Sequence, residues 1–360
     1  MRPARHAASR DHDLREFLAH AGEPAYRLTQ LLHAVYRRGV TEFAHMDELP
    51  RRLRDQLAAR YGESVLTIRP IATQRGPQVE KLLFESRQGA RIETVFARYR
   101  SGWTSLCVST QVGCGLGCTF CATGAVGLVR NLTVDEICDQ VLYVACRERV
   151  DSVAFMGMGE ALANPHTFAA LRQLADPAHH ALSPRRLTVS TVGFVPGLRR
   201  LVEEHPRVTI TVSVHSPYEE ERARLIPLQH RFPLSECLAV LDEHVAATRR
   251  KAYLAYLVID GLNDTDAHAR DLARLVARRR RPELFHVNVI PYNPAAGVDA
   301  AYRRPTPDRV RRFLRVLRER GVRATRRTQF GDSIDAACGQ LHARYLGDAR
   351  QSTGSAEATD

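Results

Sequence analysis

From residue 105 onward, short apolar runs alternate with longer amphipathic segments, and few architectures accept that pattern. Strand-like runs fall at 105–110, 152–157, 186–191, 208–214, 252–259, 285–291 and 322–328. Helical spacing of apolar residues marks 133–147, 166–175, 196–204, 233–248, 264–279 and 306–319 between them. Strands separated by helix-length crossovers pair in parallel. Six or so such units predict an α/β fold, a full or partial (β/α) barrel. A parallel sheet gathers the carboxyl ends of its strands on one rim, where ligands of such folds bind. Polar and glycine residues fall just there: Gly159-Glu160, Ser190-Thr191, His215, Asp260-Gly261 and Asn293. Polar residues also begin ordinary loops, so it is the set that marks the rim, not any single member.

The region upstream reads differently. Leu14, Phe17 and Leu18, then Leu28, Leu31, Leu32, Val35 and Tyr36, then Leu53 and Leu57 recur at helical spacing, broken by Gly39 and by Glu48-Leu49-Pro50. This predicts a small helical domain within 1–75. Residues 79–84 and 92–98 flank the turn-like ESRQGAR and predict a β-hairpin in a 76–104 linker. The core domain would then run over 105–346, and the small polar residues of 347–360 predict a disordered tail.

Charge narrows the partners. The 360 residues hold 52 Lys+Arg against 40 Asp+Glu, a net +12, and Lys81 and Lys251 are the only lysines. Guanidinium groups bind phosphate at two points, and a positive surface attracts nucleic acid. A GC-rich genome would produce the same arginine bias, though not the net excess. No run of eighteen apolar residues occurs, so no membrane span is encoded, and the start lacks the apolar stretch of a secretory signal. A cytoplasmic monomer is expected.

The eight cysteines are few for this length, yet three crowd into Cys114-Gly-Leu-Gly-Cys118-Thr-Phe-Cys121, directly after the first barrel strand. Clustered thiolates select zinc or iron-sulfur centres. Structural zinc normally closes with four protein ligands. Three thiolates on a four-iron cubane instead leave one iron open, the arrangement needed to bind the amino and carboxylate groups of S-adenosylmethionine. Cys138, Cys146 and Cys237 lie inside predicted helices and read as core.

With this spacing, and with Phe120 before the third cysteine, the chain resembles the radical S-adenosylmethionine superfamily. Within it, the chain resembles the family of 23S rRNA adenosine methyltransferases that contains RlmN and Cfr. The likeness runs from 79 to about 345. It rests on Cys107-Val-Ser-Thr-Gln-Val-Gly-Cys114, Arg130-Asn-Leu-Thr133, Phe155-Met-Gly-Met-Gly-Glu-Ala-Leu-Ala-Asn164, Ser190-Thr-Val-Gly193, Val212-Ser-Val-His215, Asn288-Val-Ile-Pro-Tyr-Asn293-Pro and Ala336-Ala-Cys338-Gly-Gln-Leu. The resemblance implies that Cys114, Cys118 and Cys121 hold a 4Fe-4S cluster. It implies that Gly159, Glu160, Ser190, Ser213, Val214, His215 and Asn293 bind S-adenosylmethionine; Val214 stands where the RlmN branch often has Leu. Cys338 would carry the methyl group, Cys107 would resolve the adduct and Glu93 would accept the ring proton.

The chemistry implied by the family follows from the substrate. Carbons 2 and 8 of adenine are electrophilic and cannot displace a sulfonium methyl. Two S-adenosylmethionines are therefore used per turnover: one methylates Cys338, and the other is cleaved reductively, with an external electron donor such as a flavodoxin, to give the radical that activates that methyl group. The adduct is resolved by Cys107, leaving a disulfide. Carbon 8, the Cfr-like outcome linked to antibiotic resistance, is favoured because Ala161 replaces the usual Pro of RlmN and because Thr123-Gly-Ala-Val-Gly-Leu128 and Thr328-Gln-Phe-Gly331 are Cfr-like. Carbon 2 of the same adenosine, with tRNA as a further substrate, is the alternative, as is a radical enzyme acting on another RNA.

Overall fold

The computed structural model describes residues 9–295 and 297–327. Cys338 and the tail at 347–360 therefore lie outside the described residues. Three helices, α1 (Arg10–His20), α2 (Tyr26–Tyr36) and α3 (Arg51–Tyr61), open the chain and enclose a core of Leu14, Leu31, Val35, Phe43, Leu53 and Leu57. The periodicity that predicts helices is thus the set of positions they bury. Helical structure does not reach 75, however. Ile68–Arg75 is a strand, β1, paired antiparallel with β2 (Val79–Ser86). Only Ile68 of its eight residues is buried, so β1 carries no alternation that a sequence reading could detect. Backbone hydrogen bonding to β2 makes it a strand.

The hairpin forms as expected and is completed by β3 (Arg91–Arg98). It is more than a linker, because β3 pairs antiparallel with β4 (Thr104–Val108) and so extends the main sheet. After β4 come a ribbon of β5 (Gln111–Cys114) and β6 (Gly127–Asn131) with the short α4 (Ala122–Val126) between them, then α5 (Val134–Ala145), β7 (Ser152–Phe155), α6 (His166–Ala175), β8 (Leu187–Thr191), α7 (Val195–Glu204) and β9 (Thr209–Ser213). The chain continues through α8 (Glu219–Leu225), α9 (Leu234–Thr248), β10 (Ala252–Val258), α10 (Asp266–Ala277), β11 (Phe285–Pro291), α11 (Pro307–Glu319) and β12 (Arg323–Arg326). The ten-stranded sheet has the order β1-β2-β3-β4-β7-β8-β9-β10-β11-β12. From β4 to β12 every pairing is parallel. Because β4 is paired to β3 rather than to β12, the barrel stays open: a partial barrel, as the repeated units predict.

Val153, Phe155, Val189, Ile210, Val212, Leu254 and Val287 point toward the helices and form the main core. Their neighbours on the opposite face line the barrel interior. Helix starts are fixed by side chains: Thr133 and Glu136 make a reciprocal capping box on α5, and Thr265 and Thr306 cap α10 and α11. Ten of the twelve residues of α5 are buried, because the helix lies between the sheet and the N-terminal helices. That position explains its acidic residues. Asp139 accepts from Arg10 Nη1 at 2.7 Å and from the Thr67 amide at 2.7 Å, while Asp135 accepts from the Arg10 amide at 2.8 Å. Tyr36 accepts from Arg10 Nη2 at 2.8 Å. A buried ion pair thus clamps the helical module to the barrel. Removing one partner strands the other charge, so Asp139→Ala should cost about 3–5 kcal/mol, whereas Arg10→Met with Asp139→Leu should cost less; denaturant unfolding of the two variants checks this.

Candidate active site at the barrel rim

The β5–β6 ribbon carries the cysteine loop. Its strands approach so closely that a Cβ on Gly113, at φ +74°, would lie 1.9 Å from the Gly127 carbonyl oxygen, so only glycine is accommodated. Cys114 ends β5 and Cys121 precedes the first turn of α4. Cys118 is buried against Leu225, Ile226, Leu257 and Tyr292. Thr119 fastens the loop, its amide donating to the Leu225 carbonyl at 3.1 Å and its hydroxyl meeting the Tyr302 hydroxyl at 2.8 Å.

Burial pushes the Cys114 thiol up to about 11. Burial raises Cys118 as well, and the negative charges of Cys121 and Cys114 add to the shift. The three groups therefore share one poorly hydrated place, and their thiolates need a positive partner. Structural zinc closes with four protein ligands, whereas three thiolates on a cubane each take their own iron and leave the fourth open, so this donor set fits an iron-sulfur cluster better than a single zinc ion.

The rim comes next to it. Gly159 has φ +96°, and a Cβ there would lie 2.5 Å from the Gln111 side chain. Gln111 needs that space: its Oε1 accepts from the Glu160 amide at 2.8 Å and its Nε2 donates to Asn131 Oδ1 at 2.8 Å, joining ribbon to rim. The Glu160 carboxylate accepts from the Val192 amide at 3.0 Å and the Leu162 amide at 3.2 Å, while burial holds its pKa above the ordinary value. His215, at φ +60°, accepts through Nδ1 from the Leu257 amide at 3.0 Å. Its proton therefore sits on Nε2. Burial, aided by the charge of Arg222, lowers its pKa to about 3, so His215 is a neutral donor, with its ring edge-on to Phe120 at 5.0 Å.

Cys121, Gly159, Glu160, Ser190, Ser213 and His215 all line one cavity, together with Phe120, Met156, Leu257, Tyr292 and Arg327. Cys114, Cys118, Val214 and Asn293 are not among its walls. Val214 is wholly buried and holds the end of β9 by donating to the Ala255 carbonyl at 2.9 Å. Both polar atoms of the Asn293 side chain are buried without a partner among the described residues. Such an amide calls for a polar ligand.

Cys107 and Glu93 lie deeper. Cys107 stands opposite Ala154, and Ala154 opposite Thr188, so strand alternation puts Cys107 on the inner face that carries Met156 and Ser190. Val95 stands opposite both Cys107 and Lys81, which brings Glu93, two residues before Val95, to that face too. Glu93 is 1% exposed, with Lys81 Nζ at 3.4 Å. A glutamate in a strand is by default a surface residue, and this one is not. Cys138 and Cys237 are buried in helices as expected, whereas Cys146 caps the C-terminus of α5 just beyond its last helical residue and is only half-buried. The sequence reading passes over Gln111, Met156, Tyr292 and Arg222 as site residues; the first three fall inside quoted motifs, and Arg222 falls in none.

Comparison with known proteins supplies the family and the fold. Residues 108–273 match the radical SAM superfamily, and residues 9–61 match the ribosomal RNA large subunit methyltransferase N-terminal domain. The ribosomal RNA large subunit methyltransferase Cfr of Staphylococcus aureus is 46% identical over 92% of this chain and 96% of its own length. The chain belongs to the Cfr/RlmN family of radical SAM methyltransferases. The Cfr protein of Bacillus velezensis is 44% identical over the same shares of the two chains. A crystal structure of a radical SAM methyltransferase from Sphaerobacter thermophilus, 40% identical, superposes with a TM-score of 0.87 over 94% of this chain and 99% of its own. Membership in the family implies a 4Fe-4S cluster and S-adenosylmethionine. Among the described residues, no helix is long and apolar enough to cross a membrane.

The Gln111–Gly159 contact can be tested directly. Gly159→Ala should lower stability by about 1–3 kcal/mol through backbone strain and steric overlap, and adding Gln111→Ala should recover the steric part, as read from thermal melts of the single and double variants.

Proposed function

We propose that this protein methylates carbon 8 of an adenosine in the peptidyl-transferase centre of 23S rRNA, through a methyl group carried on Cys338. The observation that carries the reading is a single cavity lined both by Cys121 of the cysteine loop and by the rim residues Gly159, Glu160, Ser190, Ser213 and His215. It is supported by relatives named as ribosomal RNA large subunit methyltransferases over nearly the whole chain. Their Cfr designation, with Ala161 in the rim loop, favours carbon 8 over carbon 2.

In this reading Cys114, Cys118 and Cys121 hold the cluster, and Gly159, Glu160, Ser190, Ser213, Val214, His215 and Asn293 hold S-adenosylmethionine. When bound, the cluster supplies the electron, drawn from a reductant such as a flavodoxin, that opens the radical route an electrophilic ring carbon requires. The chain's own groups do the rest. His215 offers a fixed Nε2–H, Asn293 an unpartnered amide and Glu160 a carboxylate already oriented by backbone donors. Glu93 takes the ring proton inside the barrel, with the Lys81 ammonium beside it. The Cys107 thiolate then attacks the Cys338 sulfur, so that the carbon–sulfur bond to the base breaks and a Cys107–Cys338 disulfide forms; the electron pair of the broken bond stays on the methylene carbon, which takes up a proton to complete the methyl group. A thiol reductant must reopen that disulfide before another turnover. The module at 9–61 and the arginine excess dock the RNA, and the target base leaves its stack to enter the cavity.

Mass spectrometry of 23S rRNA from cells with and without the gene should show 8-methyladenosine only with the gene. A product restricted to 2-methyladenosine would overturn the choice of carbon. Cys338→Ala should abolish methylation in the same assay, and a methylated product from that variant would overturn the methyl-cysteine route.

A further inference from the structure

Arg222, on α8, heads the largest fully buried side chains at 1% exposure. Its Nε donates to the Val214 carbonyl at 3.1 Å, and its Nη2 donates to the carbonyls of Ser213 at 3.0 Å and Val192 at 2.7 Å. Its Nη1 donates to Gln229 Oε1. All four acceptors are neutral, and no carboxylate among the described residues pairs with it. A guanidinium taken out of water without a counter-charge costs several kcal/mol, and burial accordingly pulls the Arg222 pKa down.

Two features say what offsets that cost. The carbonyls it gathers belong to the ends of β8 and β9, between the rim positions Ser190 and His215. Its helix also lies against the cysteine loop, since Cys118 packs on Leu225 and Ile226 and the Thr119 amide bonds to the Leu225 carbonyl at 3.1 Å. The Val192 carbonyl that Arg222 binds also belongs to a residue that lines the same cavity as Cys121.

We propose that Arg222 is a positioning residue that supplies the fixed counter-charge for the anionic cluster held by Cys114, Cys118 and Cys121, and thereby raises its reduction potential. The inference rests on the cluster assignment made above. Three thiolates outweigh the positive charge of an oxidised cubane, and an added electron makes the assembly more negative still. A cation held nearby in a dry interior therefore favours the reduced form over the oxidised one.

The test is a redox titration followed by electron paramagnetic resonance, on full-length protein reconstituted anaerobically and matched for iron and sulfide. Arg222→Gln should make reduction about tenfold less favourable, a fall of about 59 mV for one electron. Arg222→Lys keeps the charge and should stay near the wild-type potential. Gln229→Glu keeps the guanidinium in place but sets a carboxylate on it, and should lower the potential as Arg222→Gln does; it decides the matter alone if Arg222→Gln does not fold or load. An unchanged potential in a loaded Arg222→Gln or Gln229→Glu protein would overturn the inference, as would equal shifts for Lys and Gln at 222, which would make shape rather than charge responsible. Failure of the wild-type protein to take up a cluster would instead refute the cluster assignment.

Discussion

Parallel pairing from β4 to β12 is the constraint on which the rest depends. Strands that run the same way must finish at the same end of the sheet, so Gly159-Glu160 after β7, Ser190 on β8, Ser213 to His215 at β9 and Asn293 beyond β11 meet although more than 130 residues of chain separate them (293 − 159 = 134). The β5–β6 ribbon then brings the cysteines to that rim. Gln111 is the joint: one amide reaches across to Asn131 within the ribbon and to the Glu160 backbone on the rim, and Gly159 is glycine because the joint occupies the volume a side chain would need.

Electrostatics follow from the same geometry. Burial makes the Cys114 and Cys118 thiols reluctant to ionise, makes Glu160 reluctant to hold charge and keeps His215 neutral. An interior biased against every ionised group answers to a ligand that brings both signs of charge. An iron-sulfur centre and a sulfonium amino acid together do so. Arg222 sits in that interior without a carboxylate partner among the described residues, held by the carbonyl dipoles at the ends of the strands that bear the rim.

The barrel was legible in the sequence because most of its strands and helices are half-buried in a regular way: β7 to β11 and the helices α6, α7, α9, α10 and α11 bury their residues at the periods that the apolar pattern displays. The cysteine loop was legible from spacing alone. What escaped detection did so for physical reasons. β1 is exposed at seven of its eight positions and is held by backbone bonds. The ribbon strands are four and five residues long with a glycine in each, too short to display a period. Arg222 follows three glutamates on a short helix and reads as a solvated residue, yet the end of β9 folds over it. Glu93 and Lys81 show that a pair of opposite charges on one strand face can be an interior pair, which alternation by itself cannot distinguish from a surface pair.

The most direct test of the account is anaerobic reconstitution of the full-length protein with iron and sulfide, followed by S-adenosylmethionine and a strong reductant, with 5′-deoxyadenosine measured by chromatography. The thiol loop and the rim acting as one site predict that the wild-type protein forms it and that Cys118→Ala, on the buried cysteine at the centre of the loop, does not. Absence of 5′-deoxyadenosine from a fully loaded wild-type protein, or undiminished formation by Cys118→Ala, would contradict it.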